Sequence, residues 1–189
     1  LTWAPADLTE QVVREVAQPV VDEMARRGTS FTGLLYCGLA LTGKGLRVVE
    51  FNVRFGDPET QAVLARLTSS LAQLLHAAAT GRLAEVPAPT WRPEAAVDVV
   101  LAAPGYPGAV TTGGLLTGLD AAEEVEGVHV LHAGTGFSDD GELVATGGRV
   151  LSVVALGDDV QAARERAYQA VGCLGLPGSH YRTDIAAGR

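Results

Sequence analysis

Between Ala84 and Pro93 the chain reads Ala-Glu-Val-Pro-Ala-Pro-Thr-Trp-Arg-Pro, and this run carries three prolines and no apolar period. Each proline removes a backbone N–H and fixes φ, so the run suits neither a helix interior nor a central strand. It is read as a linker over 84–93. The chain then divides into residues 1–83, with helical stripes around one hairpin, and residues 94–189, which are richer in strands.

In the first part Asp7 and Glu10 have capping-box spacing, and Leu8, Val12, Val16, Val20 and Met24 recur every four residues. This pattern predicts a one-sided helix to about Arg27, stopped by Gly28 and kinked or divided at Pro19. Two extended runs follow, Thr32–Leu41 and Leu46–Val49, joined by Thr42-Gly43-Lys44-Gly45. They predict a β-hairpin. After it, Asp57 is placed as N-cap, Pro58 at the first helical position and Glu59 in the first turn, with one helix expected through Ala78 to Gly81.

The second strand leads into Glu50-Phe51-Asn52-Val53-Arg54-Phe55-Gly56-Asp57-Pro58-Glu59. Strict alternation puts Val49, Phe51, Val53 and Phe55 on one side, expected to pack on a core, and Glu50, Asn52 and Arg54 on the other. Successive polar groups would stand about 6–7 Å apart at a rise of ~3.3 Å per residue. A carboxylate and a carboxamide oxygen in a row suit magnesium, which takes hard oxygen ligands. Arg54 offers a planar fork of donors to a phosphoryl group. A solvated face of an edge hairpin accounts for the same three residues, and spacing alone leaves both readings open.

In the second part, strands are expected at Ala96–Ala103, Val128–His132 and Arg149–Leu156. A hairpin over Phe137–Val144 has Asp140-Gly141 in its turn. A helix after Asp158, its expected cap, would bury Val160, Ala163, Ala167, Val171 and Leu174. The whole reads as an α+β chain with an antiparallel C-terminal module.

The formal charge is 14 − 22 = −8, which argues against nucleic acid as a partner, since backbone binding needs clustered Lys and Arg. No apolar run approaches the roughly 20 residues of a membrane span. Cys37 and Cys173 lack the paired spacing of zinc or redox sites, so a cytoplasmic location is expected. Leu1–Asp7 shows no signal-peptide pattern, and the start without Met fits a fragment or processed product. His129 and His132, three apart on a strand, face opposite sides and form no simple ligand pair. His76 and His180 read as packed or solvated, and Lys44 as a turn residue.

The ten-residue run from Glu50 to Glu59 resembles a motif of the phosphoribosylamine–glycine ligase family, in the ATP-grasp superfamily. The resemblance extends to Phe31–Tyr36, His132-Ala133-Gly134-Thr135, Gly147-Gly148-Arg149-Val150-Leu151 and Tyr181-Arg182-Thr183-Asp184-Ile185. It implies the second half of a grasp domain (helix, β-hairpin, helix) in residues 1–83, and the small, mostly antiparallel C-terminal domain with a helix in 94–189. It also implies an ATP-dependent ligase joining glycine to 5-phosphoribosylamine in purine biosynthesis through glycyl phosphate. Glu50 and Asn52 would be the magnesium or manganese ligands at the nucleotide, and Arg54 the catalytic group on the phosphoryl in flight. Asp57, Glu59, Gly134, Thr135 and Arg149 would touch the other substrates, although Asp57 also reads as a plain helix cap. Nothing here resembles the family's N-terminal half, so that half is an expected partner and this chain alone is expected to be inactive. The rival readings are another ATP-grasp carboxylate–amine ligase and a non-catalytic binding or assembly module. Ala186 stands where members usually have Gly, so the final turn is expected to differ.

Overall fold

The structure is a computed structural model that describes residues 4–188; Leu1–Trp3 of the stretch read for a signal sequence lie outside these. The chain forms two compact units. One holds the described residues through Gly56 together with Ser70–Ala88; the other holds Asp57–Ser69 and the described residues from Pro89 onward.

The first unit opens with α1 (Leu8–Val12), a π-wound turn (Val13–Ala17) and α2 (Gln18–Arg26). Asp7 occupies the N-cap, but its side chain accepts no capping hydrogen bond, against the capping-box expectation. Pro19 lies in the first turn of α2, directly after the π turn. A π turn shifts the bonding pattern by one residue, which accommodates the N–H that proline lacks. Gly28, with φ 76°, ends the helix in the left-handed region.

Strands β1 (Tyr36–Thr42) and β2 (Gly45–Asn52) form the hairpin, so residues 32–35 expected in the first strand are not part of it. Thr42 Oγ1 donates to the Gly45 carbonyl at 2.9 Å across the turn. The register is antiparallel, with Gly38 opposite Glu50 but Leu39 opposite Val48, leaving Val49 as an extra residue. This β-bulge breaks the alternation that the sequence reading assumed. Val48 and Phe51 consequently line one groove with Val16, Val20 and Met24. Val49 and Val53, expected to pack on a core, are 72% and 71% exposed. The unit continues with α4 (Leu71–Ala79).

A single helix from Glu59 to Gly81 does not form. Helix α3 (Glu59–Arg66) belongs to the second unit, and Leu67 leaves it in an extended conformation. Ser70 then caps α4, its side chain accepting from the Gln73 N–H at 3.3 Å. Thr68-Ser69-Ser70 is a poor helical run whose hydroxyls compete for backbone partners. The nominal linker supplies the other partners: Thr68 N–H donates to the Thr90 carbonyl at 2.9 Å, Arg92 N–H to the Arg66 carbonyl at 2.7 Å, and Leu67 bridges Trp91. Residues 90–92 are therefore an ordered part of the second unit.

That unit is built on a three-stranded antiparallel sheet in the order β3 (Ala95–Ala102), β7 (Arg149–Gly157), β4 (Val128–His132). A second hairpin pairs β5 (Thr135–Phe137) with β6 (Leu143–Ala145) around Gly141, φ 82°. Helices α5 (Leu119–Glu123), absent from the sequence reading, and α6 (Val160–Cys173) complete it. Asp159, not Asp158, caps α6, accepting from the Ala162 N–H at 2.8 Å.

Val97, Val99, Leu101, Val128, Val130, Leu151 and Val153 pack against Ala163, Ala167, Ala170 and Val171 of α6. Each buried Val or Leu contributes roughly 1.5–3 kcal/mol. The alanines let helix and sheet approach closely: a Cβ on Gly157 would meet the Ala163 nitrogen at 2.4 Å. Helix α3 packs on the same two strands, β3 and β7, without joining this core.

The last residues are clamped to α6. Arg164 donates to the Ile185 and Thr183 carbonyls, both at 2.9 Å, and Tyr168 hydroxyl to the Arg182 carbonyl at 2.7 Å. Ala186 follows with φ 52°, where an L side chain is strained and glycine is not. Ala186→Gly should raise the free energy of unfolding by about 0.5 kcal/mol or more, the relief of strain exceeding glycine's extra chain entropy. Urea titration of both chains checks this; a less stable glycine variant would show the turn to be unstrained.

Candidate functional site

Glu50 and Asn52 are two residues apart beyond the Val49 bulge, and the Asn52 Nδ2 donates to Glu50 Oε1 at 2.9 Å. The strand thus sets a carboxylate and a carboxamide side by side, as the sequence reading proposed. Glu50 is exposed and Asn52 half-buried. Rotating the Asn52 amide about its last torsion would turn its oxygen to the same side as the Glu50 carboxylate. Two hard oxygens then face one point, a donor set that fits a divalent cation such as magnesium. Among the described residues, no group of three or more His, Cys, Asp or Glu comes together as a metal cluster. A cation here would complete its shell with phosphate oxygens and water. Among the described residues Arg54 donates only to the neighbouring Phe55 carbonyl, at 2.8 Å, and it is exposed.

In the second unit Asp57 does not cap α3; Pro58 takes that position. The Asp57 carboxylate instead pairs with Arg149, Nη2 to Oδ2 at 2.9 Å, and accepts from Gln61 Nε2 at 3.0 Å. Arg149 Nη1 also donates to the Asp57 carbonyl at 3.3 Å. Glu59 is exposed in the first turn of α3.

A bulge sets the aim of Arg149. Leu101 lies opposite Leu151 but Ala102 lies opposite Arg149, so Val150 is extra on β7. Val150 and Leu151 consequently both enter the α6-side core. Arg149 is turned to the opposite face, which Ser152 and Val154 share.

Gly134 and Thr135 lie against the start of β7. Gly134 N–H donates to the Arg149 carbonyl at 2.8 Å, and a Cβ there would stand 2.7 Å from that oxygen and 2.8 Å from the Gly147 Cα. Only glycine fits this crossing. His132 Nδ1 and Thr135 Oγ1 are 3.0 Å apart, which fixes the threonine hydroxyl at the rim.

Beneath Asp57 the structure adds two residues that the sequence reading passed over. Ser152 Oγ lies 2.7 Å from each oxygen of Asp98. Burial pushes the Asp98 carboxyl up to about 6; the Ser152 hydrogen bond works against this rise and the Asp57 charge adds to it. The available signal was a single polar residue inside each apolar run, Asp98 in Ala95–Ala102 and Ser152 in Val150–Gly157. Because Asp98 is neutral more readily in the folded chain, its contribution to stability falls as pH rises from the unfolded value of about 4 to about 6. Asp98→Asn should abolish that loss, leaving the variant about 1–3 kcal/mol more stable than the parent at neutral pH. Chemical denaturation across this window measures it; parallel curves for the two chains would refute the buried-acid account.

No helix of the described residues is long and apolar enough to cross a membrane. Comparison with known proteins matches residues 96–188 to the phosphoribosylglycinamide synthetase C domain and residues 1–60 to the ATP-grasp (A) domain of the same synthetase. A phosphoribosylamine–glycine ligase of Streptomyces coelicolor is 58% identical over 189 residues, covering 99% of this chain and 45% of that protein. A Mycobacterium tuberculosis protein of the same name is 55% identical over 98% of this chain and 42% of its own length. A crystal structure of the Thermotoga maritima phosphoribosylamine–glycine ligase superposes with a TM-score of 0.79 at 32% identity, over 96% of this chain and 44% of that one. The fold also matches N5-carboxyaminoimidazole ribonucleotide synthetase of the same organism, TM-score 0.62 at 20% identity, over 92% of this chain and 43% of that chain. The chain therefore spans less than half the length of these relatives. With the two domain profiles matched in order and these relatives aligned along nearly all of it, the chain belongs to the phosphoribosylglycinamide synthetase family, whose A domain is an ATP-grasp domain.

Proposed function

We propose that this chain is the C-terminal part of a cytoplasmic, ATP-dependent carbon–nitrogen ligase, which joins glycine to 5-phosphoribosylamine to give glycinamide ribonucleotide. The observation that carries the proposal is the adjacent Glu50 and Asn52 side chains, 2.9 Å apart, within the stretch that matches the ATP-grasp domain. In the first half-reaction a glycine carboxylate oxygen attacks the γ-phosphorus of ATP, forming glycyl phosphate and releasing ADP. The amine of 5-phosphoribosylamine then attacks the acyl carbon, and inorganic phosphate leaves as the C–N bond forms and the amine loses a proton.

Glu50 and Asn52 would hold magnesium or manganese, which when bound neutralises charge on the phosphates. Arg54, whose guanidinium pairs with no carboxylate among the described residues, is suited to the equatorial oxygens of the phosphoryl in transfer. Asp57 and Glu59 supply carboxylates for the amine-bearing substrates. Arg149, with the Gly134–Thr135 crossing beside it, is suited to an oxyanion of the ribonucleotide. The relatives' greater length supports a site completed by their N-terminal half. Residues 1–189 alone are expected to show no turnover.

In the full-length protein, Glu50→Gln and Asn52→Ala should each lower kcat by about 100-fold or more and raise the magnesium concentration needed for half-maximal rate. Metal dependence like that of the parent in both variants would remove them as ligands. Arg149→Gln should raise the KM for 5-phosphoribosylamine by about tenfold or more while leaving the KM for ATP near the parent's. An equal effect on both constants would count against a substrate contact.

A further inference from the structure

The segment after α6 is held at three points. Gly175 exchanges backbone hydrogen bonds with Thr117, both at 3.0 Å, and Leu176 is buried in the core. Further on, His180 takes a place on the outer edge of β3, on the side away from β7. The Ala102 N–H donates to the His180 carbonyl at 2.8 Å, and the His180 N–H donates to the Ala102 carbonyl at 3.0 Å. Ala102 is buried, so both of its backbone groups need partners, and His180 supplies both. The third point is the clamp on α6, and Tyr168 is its centre. Its hydroxyl donates to the Arg182 carbonyl at 2.7 Å and accepts from the Ile185 N–H at 3.1 Å. Its ring lies 4.6 Å from the Arg164 guanidinium and 6.1 Å from the ring of Tyr181, the residue that follows His180.

Ala102 is also where the β7 bulge closes. It stands opposite Arg149, and the next residue, Ala103, donates its N–H to the Gly148 carbonyl at 2.8 Å. On the other side the Gly134 N–H holds the Arg149 carbonyl. The backbone of Arg149 is thus fixed from the β4 side by Gly134 and from the β3 side through residues 102 and 103. His180 in turn holds that second support from outside. Asp57 restrains the guanidinium itself. We propose that Tyr168 is a positioning residue: by clamping residues 181–185 it keeps His180 against β3 and so sets where Arg149 presents its guanidinium. The inference rests on the reading of Arg149 as a contact to 5-phosphoribosylamine and adds to it a dependence on the C-terminal tail.

Tyr168→Phe removes the hydroxyl and both its hydrogen bonds but keeps the ring. In the full-length protein it should raise the KM for 5-phosphoribosylamine about threefold or more, the size expected for losing one net hydrogen bond. The kcat and the KM for ATP should stay near the parent's, whereas a general loss of folding would lower kcat and leave both KM values alone. Arg164→Lys, whose single nitrogen cannot span the Ile185 and Thr183 carbonyls, should shift the same constant in the same direction. In an Arg149→Gln background Tyr168→Phe should add nothing, because the coupling runs through that side chain. An unchanged KM in both tail variants, or an equal rise with Arg149 already replaced, would overturn the proposal and leave the Arg149 reading standing. An unmoved KM in Arg149→Gln itself would overturn the reading and the proposal together. Hydrogen exchange in this chain tests the structural step without any substrate. The Ala102, Ala103 and His180 amides should exchange faster in Tyr168→Phe than in the parent, while the Val130 amide of β4 keeps its protection. Unmoved protection at the first three would show that the clamp does not reach β3.

Discussion

Strand β7 has no water-facing side between Val150 and Ala155, where every residue is 3% exposed or less. It pairs with β3 on one edge and β4 on the other, so its backbone polar groups are satisfied within the sheet and its side chains must be covered on both faces. The α6 alanines cover one face and α3 the other. The two covers differ in kind. The α6 side is a dry contact of Val, Leu and Ala, whose energy comes from area removed from water. The α3 side contains Asp98 and Ser152, where stability depends on matching donors to acceptors.

Strands β2, with Glu50 and Asn52, and β7, with Arg149, each carry a bulge. In β2 the extra residue is Val49, immediately before Glu50; in β7 it is Val150, immediately after Arg149. Regular alternation along β7 would put Arg149 on the same face as Leu151, away from Ser152. The inserted residue gives Arg149 and Ser152 a common face instead. The β7 bulge thus acts as a steering element, and the common face of Arg149 and Ser152 depends on a local departure from regular pairing.

Much of this was legible in the sequence because the signals were local. The β4 boundaries follow from an apolar run with a glycine before it and Ala-Gly after it, and the adjacency of Glu50 and Asn52 follows from period-two alternation over two residues. What was illegible depended on partners far away in the chain. No local rule shows that Asp57 prefers Arg149 to the α3 N-terminus, a choice made by an ion pair 92 residues apart. The single long helix expected after Glu59 failed because the Thr90 carbonyl accepts from the Thr68 N–H and the Arg92 N–H donates to the Arg66 carbonyl, bonds that a continued helix would forgo. The Thr-Ser-Ser run was the local hint. Asp98 and Ser152 were hidden for a different reason, since each looks like a lone blemish until the register sets them on neighbouring strands.

The pairing of Leu67–Ser69 with Thr90–Arg92 has a consequence for how the family can vary in length. The chain leaves the second unit at Ser69 and re-enters it at Pro89, and the two crossing points are hydrogen-bonded side by side. The excursion between them is therefore a closed loop whose ends are already held by the unit it departs from. Closing a longer loop costs free energy only as the logarithm of its length. Insertions and deletions between Ser70 and Ala88 should accordingly be tolerated by the sheet and α6, making this stretch a natural place for relatives to differ in size while the strands beneath stay in register.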